Sequence, residues 1–398
     1  MKQKFPFLIC LISLFICNPN IQVKGETSTS HIYLERAQIA LDSLNRHYTV
    51  KGCNLLRETF PFDEKYTATY LASESKNAPN PYSYLWPYSG TFSAVSALNE
   101  ASNLNRTYSE MLDKKVLPGL EVYFDKSRKP FSYSSYINTS SPSDRFYDDN
   151  VWIGIDFTDS YLLSGKKSYL KKAEIVWKFI ESGTDEKLGG GIYWCEQKKN
   201  SKNTCSNAPG SVFALKLFLA TKDSLYFQKG KKLYEWTKSN LQDSTDNLYY
   251  DNISLRGRIG KAKFAYNSGQ MLQAASLLYK ITEDKSYLID AQAIAKSCYG
   301  FFFENFTSPQ GEMFKLLKKD NIWFTAVMFR GFIELYHIDH NQLYINAFRK
   351  NLDYAWINSR DIHGLFNKDW SGQTQDSSKW LLTQAAMVEM YARLAAIK

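Results

Sequence analysis

Arg145-Phe-Tyr-Asp-Asp-Asn-Val-Trp152 sets two carboxylates, Asp148 and Asp149, side by side in an aromatic run. One Asp near the start of a helix is a common cap, because it accepts free backbone N–H groups and its charge suits the helix dipole. Two consecutive acids exceed what a cap needs. The chemistry that needs a carboxyl pair is cleavage of a glycosidic bond, where one acid protonates the leaving oxygen and the other attacks the sugar or activates water. A carboxyl separation of about 5–5.5 Å gives retention, and about 6.5–9.5 Å leaves room for a water. Neighbouring Cα atoms lie about 3.8 Å apart, so the shorter separation is the easier to reach and retention is expected. The charge of one acid raises the pKa of the other, which lets one stay protonated while its neighbour attacks.

Other segments offer binding groups. Gly189-Gly-Gly-Ile-Tyr-Trp194 reads either as a flexible turn or as backbone that lets a ligand approach while Tyr193 or Trp194 stacks on a sugar face. It lacks the Gly-Lys-Ser/Thr ending and the preceding strand of a phosphate loop. In Phe264-Ala-Tyr-Asn-Ser-Gly269, Asn267 could cap a helix or bond a hydroxyl. His337 and His340 share one short turn, and no His-Glu-x-x-His or Cys-x-x-Cys motif occurs, so a metal site is not expected. No Gly-x-Ser-x-Gly elbow is present for a serine hydrolase.

The elements that must position these groups repeat. Tyr108, Tyr169, Tyr226, Tyr287 and Tyr344 each close a short polar turn and lie 61, 57, 61 and 57 residues apart. An apolar run of helical period stands before and after each turn, so each unit reads as a helical hairpin. This predicts an all-α chain of about twelve helices, at roughly 31–48, 89–103, 107–124, 149–164, 168–183, 207–221, 225–241, 266–281, 285–303, 322–336, 341–357 and 378–397. If the last packs against the first, six hairpins close into an (α/α)6 barrel; the alternative is an open solenoid with ends to cap. In the closed ring the tight turns share one rim. The long connections 49–88, 125–148, 184–206, 242–265, 304–321 and 358–377 share the other, where sites form on loops held by a rigid scaffold. That rim holds Trp86, Tyr147, Tyr193, Trp194, Tyr249, Tyr250 and Trp370, with Trp323 and Trp380 at the helix starts that follow.

Composition agrees with a folded, exported catalyst. The 398 residues are 44% hydrophobic and 15% aromatic, a surplus of rings that suits sugar or peptide contacts. Residues 1–25 read as a leader: Lys2 and Lys4, an apolar run from Phe5 to Cys17 too short to span a membrane, then small or polar residues to Gly25. Lipid attachment at Cys17 is the rival reading, although Ile16 is bulky for it. Residues 26–398 then form a single domain. Loss of Lys2, Lys4 and Lys24 lowers the net charge from +9 to +6, and no basic run stands out, so nucleic acid is not an expected partner. Cys195 and Cys205 flank a polar loop and could pair or remain thiols.

The residues now quoted are similar to those of glycoside hydrolase family 76, the endo-α-1,6-mannanases and their relatives. The likeness rests, in order, on Tyr147-Asp-Asp-Asn150 with Trp152, on Gly189–Trp194, on Lys202-Asn203 with Asn207, on Tyr266-Asn267 with Gly269, and on Phe324 with Arg330. It implies an (α/α)6 barrel, retaining cleavage of α-1,6-linked mannose and no cofactor, with Asp148 as nucleophile and Asp149 as general acid/base. Together with the rim aromatics it nominates as substrate contacts Trp86, Tyr147, Asn150, Tyr193, Trp194 and Asn203. Asn207, Tyr250, Tyr266, Asn267, Phe324 and Trp370 complete that set. Tyr193 stands where Trp is usual, Cys195 where a polar residue is common and Ser268 where Gln often sits, which bears on subsite preference. Fungal relatives act as cell-wall transglycosidases on lipid-anchored glycans and commonly end in a hydrophobic anchor signal, which the end Tyr391-Ala-Arg-Leu-Ala-Ala-Ile-Lys398 does not resemble. The expectation is a monomeric, exported, endo-acting hydrolase of α-mannan. A mannan transglycosylase and a silent glycan-binding protein are the alternatives.

Overall fold

The computed structural model describes residues 20–72 and 80–397, with side chains from residue 30 onward. Cys17 and most of the expected leader lie outside the described residues. Among the described residues twelve α-helices run in order: α1 (Asn20–Tyr48), α2 (Leu85–Ala101), α3 (Arg106–Met111, continuing through a π-helical turn Leu112–Val116 into Leu117–Glu121), α4 (Tyr147–Ser164), α5 (Lys167–Ser182) and α6 (Thr204–Thr221). They continue with α7 (Ser224–Leu241), α8 (Ala265–Thr282), α9 (Lys285–Phe302), α10 (Ile322–Asp339), α11 (Gln342–Asn358) and α12 (Leu381–Ala396). The even-numbered helices pack side by side in a closed inner ring, α12 meeting α2, and the odd-numbered helices pack around them. The (α/α)6 barrel follows.

The repeated turn has a physical cause. Inner helices α4, α6, α8 and α10 end on left-handed residues, Gly165, Lys222, Glu283 and His340. Three of the outer helices that follow open on an Asp or Asn whose side chain accepts a backbone N–H: Leu225 to Asp223 at 2.9 Å, Ser286 to Asp284 at 2.9 Å and Leu343 to Asn341 at 3.0 Å. Each such cap contributes about 1 kcal/mol. The Tyr of each repeat then packs against the core from the first turn of its outer helix.

Inner helices are buried nearly all round, so they approach closely. On α10, a Cβ at Gly331 would stand 2.3 Å from the Gly269 carbonyl oxygen of α8, so only glycine allows that crossing. Below the site the axis is polar: Arg330 donates to Glu389 at 2.6 and 2.9 Å, and Arg393 adds a bond at 2.7 Å. Burial alone would raise Glu389, but these two guanidinium groups hold it down to about 2.

Two details differ from the sequence expectation. The long loops carry small antiparallel pairings, β1 (Thr59–Phe60) with β9 (Lys379–Trp380), β2 (Phe124–Asp125) with β3 (Ser132–Tyr133), β5 (Tyr250–Ser254) between β4 (Ser201–Asn203) and β6 (Ile259–Lys263), and β7 (Phe303–Thr307) with β8 (Met313–Leu317). The period of 3.6 hid these short strands. In α3 the π turn precedes Pro118, which has no N–H to bond to Lys114, so the ladder widens there.

Candidate active site

The two acids stand at the second and third positions of α4, on the long-loop rim. The residue before the helix, Phe146, supplies no side-chain cap. Three tethers set the angle at which α4 starts. Fully buried Arg145 donates to Glu196 at 2.9 Å and to the Pro130 carbonyl at 3.0 Å. The Tyr147 N–H donates to the Trp194 carbonyl at 2.9 Å, which brings in the glycine loop. Asn150 accepts from the Tyr133 N–H at 2.8 Å and donates to the Tyr133 and Phe146 carbonyls at 2.9 and 2.8 Å.

That last clamp recurs. Asn207 of α6 accepts from the Ile192 N–H at 2.6 Å and donates to the Ile192 and Asn203 carbonyls at 2.8 Å each. Ser268 of α8 accepts from the Tyr249 N–H at 3.1 Å, and Gln384 of α12 grips Phe366 at 2.8 and 3.0 Å. All four are the fourth residue of an inner helix. Each fixes the long loop that leads into its own helix.

Residues 148 and 149 face a cavity of about 550 Å³. Its wall combines Trp86, Phe146, Trp152, Trp194, Phe264, Tyr266, Trp323 and Phe324 with Asp251 and the loop residues Thr69, Tyr70 and Leu71. The rings brace one another: Tyr266 stacks on Phe324 at 4.0 Å, and Trp323 meets Trp152 edge-on at 5.0 Å. Such a volume holds one or two sugar rings between flat apolar faces.

The two acids have unequal surroundings. Burial pushes Asp148 up to about 6, held from rising further by the Cys205 thiol, by backbone N–H groups and by the Trp194 indole. That indole donates to Asp148 Oδ2 at 3.1 Å, while Oδ1 is buried without a hydrogen-bond partner among the described residues. Burial raises Asp149 further above the ordinary carboxylate range, and the charge of Asp148 adds to the shift. Asp251 is also raised by burial, with Asn252 opposing.

Of the residues nominated from sequence, Asp148, Asp149, Trp86, Trp194, Tyr266 and Phe324 meet at this cavity. Asn150 and Asn207 are spent on the loop clamps. Tyr147 stacks on Phe179 at 4.6 Å beneath the rim, Tyr193 donates to Asp185 at 2.7 Å, and Asn203 accepts from Ser201 at 2.8 Å. Tyr250 lies under the Lys263 ammonium, 5.3 Å from its ring centre. Asn267 and Trp370 are buried away from the cavity wall, with their polar side-chain atoms unpaired among the described residues. Cys195 and Cys205 are unpaired thiols, Cys195 packed against Phe146 and Cys205 beside Asp148. Sequence reasoning missed Tyr70 and Asp251, which no motif marks. Trp323 had a signal, its place at a helix start.

The comparisons with known proteins agree with this geometry. The model of glycosyl hydrolase family 76 matches residues 58–396. A family 76 glycoside hydrolase (mannosidase) from Bacteroides thetaiotaomicron superposes with a TM-score of 0.84 at 35% identity, covering 92% of this chain and 98% of that one. The GH76A α-1,6-mannanase of Salegentibacter sp. shares the fold, with a TM-score of 0.73 at 24% identity over 91% of this chain and 99% of its own. The Meiotically up-regulated gene 191 protein of Schizosaccharomyces pombe is 30% identical over 166 residues, 38% of this chain and 37% of that protein. With an acid pair at the head of an inner helix and an aromatic cavity above it, the chain belongs to glycosyl hydrolase family 76 and is a glycoside hydrolase.

Proposed function

We propose that this chain is an exported, endo-acting α-1,6-mannanase that retains anomeric configuration, with Asp148 as nucleophile and Asp149 as general acid/base. The observation that carries the assignment is the unequal environment of the pair. Asp148 collects N–H and S–H donors, which favour its ionised form. Asp149 has burial and a neighbouring negative charge, which favour its protonated form. Asp149 then gives its proton to the leaving glycosidic oxygen while an Asp148 oxygen bonds to the anomeric carbon. In the second half Asp149, now a carboxylate, takes a proton from water. The hydroxyl attacks the same carbon, and the bond to Asp148 breaks.

The substrate class is supported by the Salegentibacter sp. relative, whose inactive variants with both aspartates replaced are seen with α-1,6-mannotriose and α-1,6-mannotetrose. Export is supported by the leader pattern at residues 1–25. Incubation with linear α-1,6-mannan is expected to yield short oligosaccharides early, and NMR of the first products is expected to show the α anomer. Mannose alone from the start would refute endo action, and β-anomeric first products would refute retention. Products longer than the substrate would favour transglycosylation.

A further inference from the structure

Glu58 is a buried acid for which the reaction above has no use. It is 5% exposed, and no Lys, Arg or His pairs with it among the described residues. Its Oε1 accepts from Tyr70 Oη at 2.5 Å, Trp380 Nε1 at 2.9 Å and Tyr66 Oη at 3.3 Å, and its Oε2 accepts from the Tyr84 N–H at 2.8 Å. Burial of an unpaired carboxylate is costly, and apolar residues of similar volume would commonly serve stability better. The four donors therefore point to a task of organisation. They come from both sides of the β1–β9 pairing and from the start of α2.

The segment carrying Tyr66 and Tyr70 crosses the rim from that hub to the opposite loop. Tyr70 meets Trp86 edge-on at 5.2 Å and Trp380 at 5.8 Å. Leu71 and Ala72 pack with Phe146, Trp194 and Cys195, and the Lys198 ammonium donates to the Ala72 carbonyl. Thr69, Tyr70 and Leu71 thereby wall the cavity that holds both acids.

We propose that Tyr70 is a substrate-contacting residue on the cleft wall, and that Glu58 is the positioning residue that holds it there. The proposal rests on the glycan-cleft reading above. Tyr70 offers a ring to a sugar while its hydroxyl is engaged by Glu58, and the wall keeps water from the Asp149 side. The other titratable groups facing Asp149 are Asp148 on its own helix and, across the cavity, Asp251 and Tyr266; Lys and Arg are absent from the wall among the described residues. Because water exclusion disfavours ionised Asp149, opening the wall moves the alkaline limb of the rate profile to lower pH.

The test takes the full chain as wild type, Tyr70→Ala, Tyr70→Leu, Glu58→Gln and Glu58→Gln with Tyr70→Ala, each checked for folding by circular dichroism. Calorimetric Kd for α-1,6-mannotetraose, measured with Asp149→Asn added to every protein so that the ligand is not cut, is expected to weaken up to about tenfold in both Tyr70 variants, the scale of one lost ring contact. Glu58→Gln leaves a donor unmatched, so its Kd should move the same way. The double variant should be no weaker than Tyr70→Ala, since the hub acts through that ring. The alkaline limb of kcat/KM should fall in all of them. Glu58→Gln that melts earlier but keeps wild-type Kd and pH limbs would overturn the positioning role. Unchanged Kd in both Tyr70 variants would overturn the contact. Wild type that binds the tetrasaccharide without cutting α-1,6-mannan would refute the proposed activity alone, because the Kd comparisons still decide the wall. Wild type that neither binds nor cuts would overturn both.

Discussion

Asp148→Asn removes the proposed nucleophile and, on the surroundings described, makes the fold more stable at neutral pH. Burial lifts Asp148 from about 3.8 to about 6 in the folded chain. A folded pKa raised above the unfolded one contributes stability that is complete below the unfolded value and is lost as pH rises through the folded value. Asp148 therefore costs nothing below about pH 4, while above about pH 6 a shift of about two units costs about 3 kcal/mol. Asparagine carries no charge, and its amide oxygen can keep the Trp194 bond. The variant should match wild type near pH 4 and melt higher at pH 7–8, by roughly 3–6 °C for a domain of this size. Activity should fall by orders of magnitude across the same range. Scanning calorimetry of both proteins in unit steps from pH 4 to pH 8 makes the comparison. A variant that melts below wild type at pH 8, or gains equally at pH 4 and pH 8, refutes the claim that Asp148 is held ionised at a cost.

Three further predictions concern the groups that hold the site. Trp194→Phe removes the 3.1 Å indole bond to Asp148, so the acid limb of kcat/KM should rise by about one pH unit from near 6; an unmoved limb would show that the indole does not tune the acid. Glu389→Gln leaves Arg330 with Asp156, 3.8 Å away, as its remaining carboxylate among the described residues and should cost about 3 kcal/mol in denaturant melts, an effect that a loss under 1 kcal/mol would contradict. Asn207→Ala frees the Ile192 backbone and should cost about 1–3 kcal/mol while leaving activity far higher than Asp149→Asn does; loss equal to that of the acid variant would return Asn207 to the substrate contacts.

Most of the barrel was legible because its signals are local and repeated. Asp223, Asp284 and Asn341 cap helices within two residues of themselves, and the left-handed residue just before each ends the previous helix, so the turn shows as a short pattern at a regular interval. The β1–β9 pair escaped because Thr59 and Trp380 lie far apart in sequence, and the local pairs β2–β3, β5–β6 and β7–β8 escaped because strands of two to five residues are too short to show a period of their own. The site divides the same way. Asp148 and Trp194 lie in motifs, whereas Tyr70 and Asp251 reach the cavity from long loops whose paths are set by tertiary bonds, through Glu58 in the first case.

The confusion of scaffold with site at Asn150 and Asn207 has a geometric resolution. Successive helical residues turn by about 100°, so the second and fourth positions of one helix face nearly opposite ways. In five inner helices the second residue is Trp86, Asp148, Cys205, Tyr266 or Trp323; four of these line the cavity and Cys205 lies beside Asp148. The fourth residue in four inner helices, Asn150, Asn207, Ser268 and Gln384, turns outward and grips the incoming loop. A polar residue in this barrel therefore takes its role from its place in the first turn as much as from its chemistry. Asn150 stands two residues from Asp148 in the same motif and is carried by the helix to the other face.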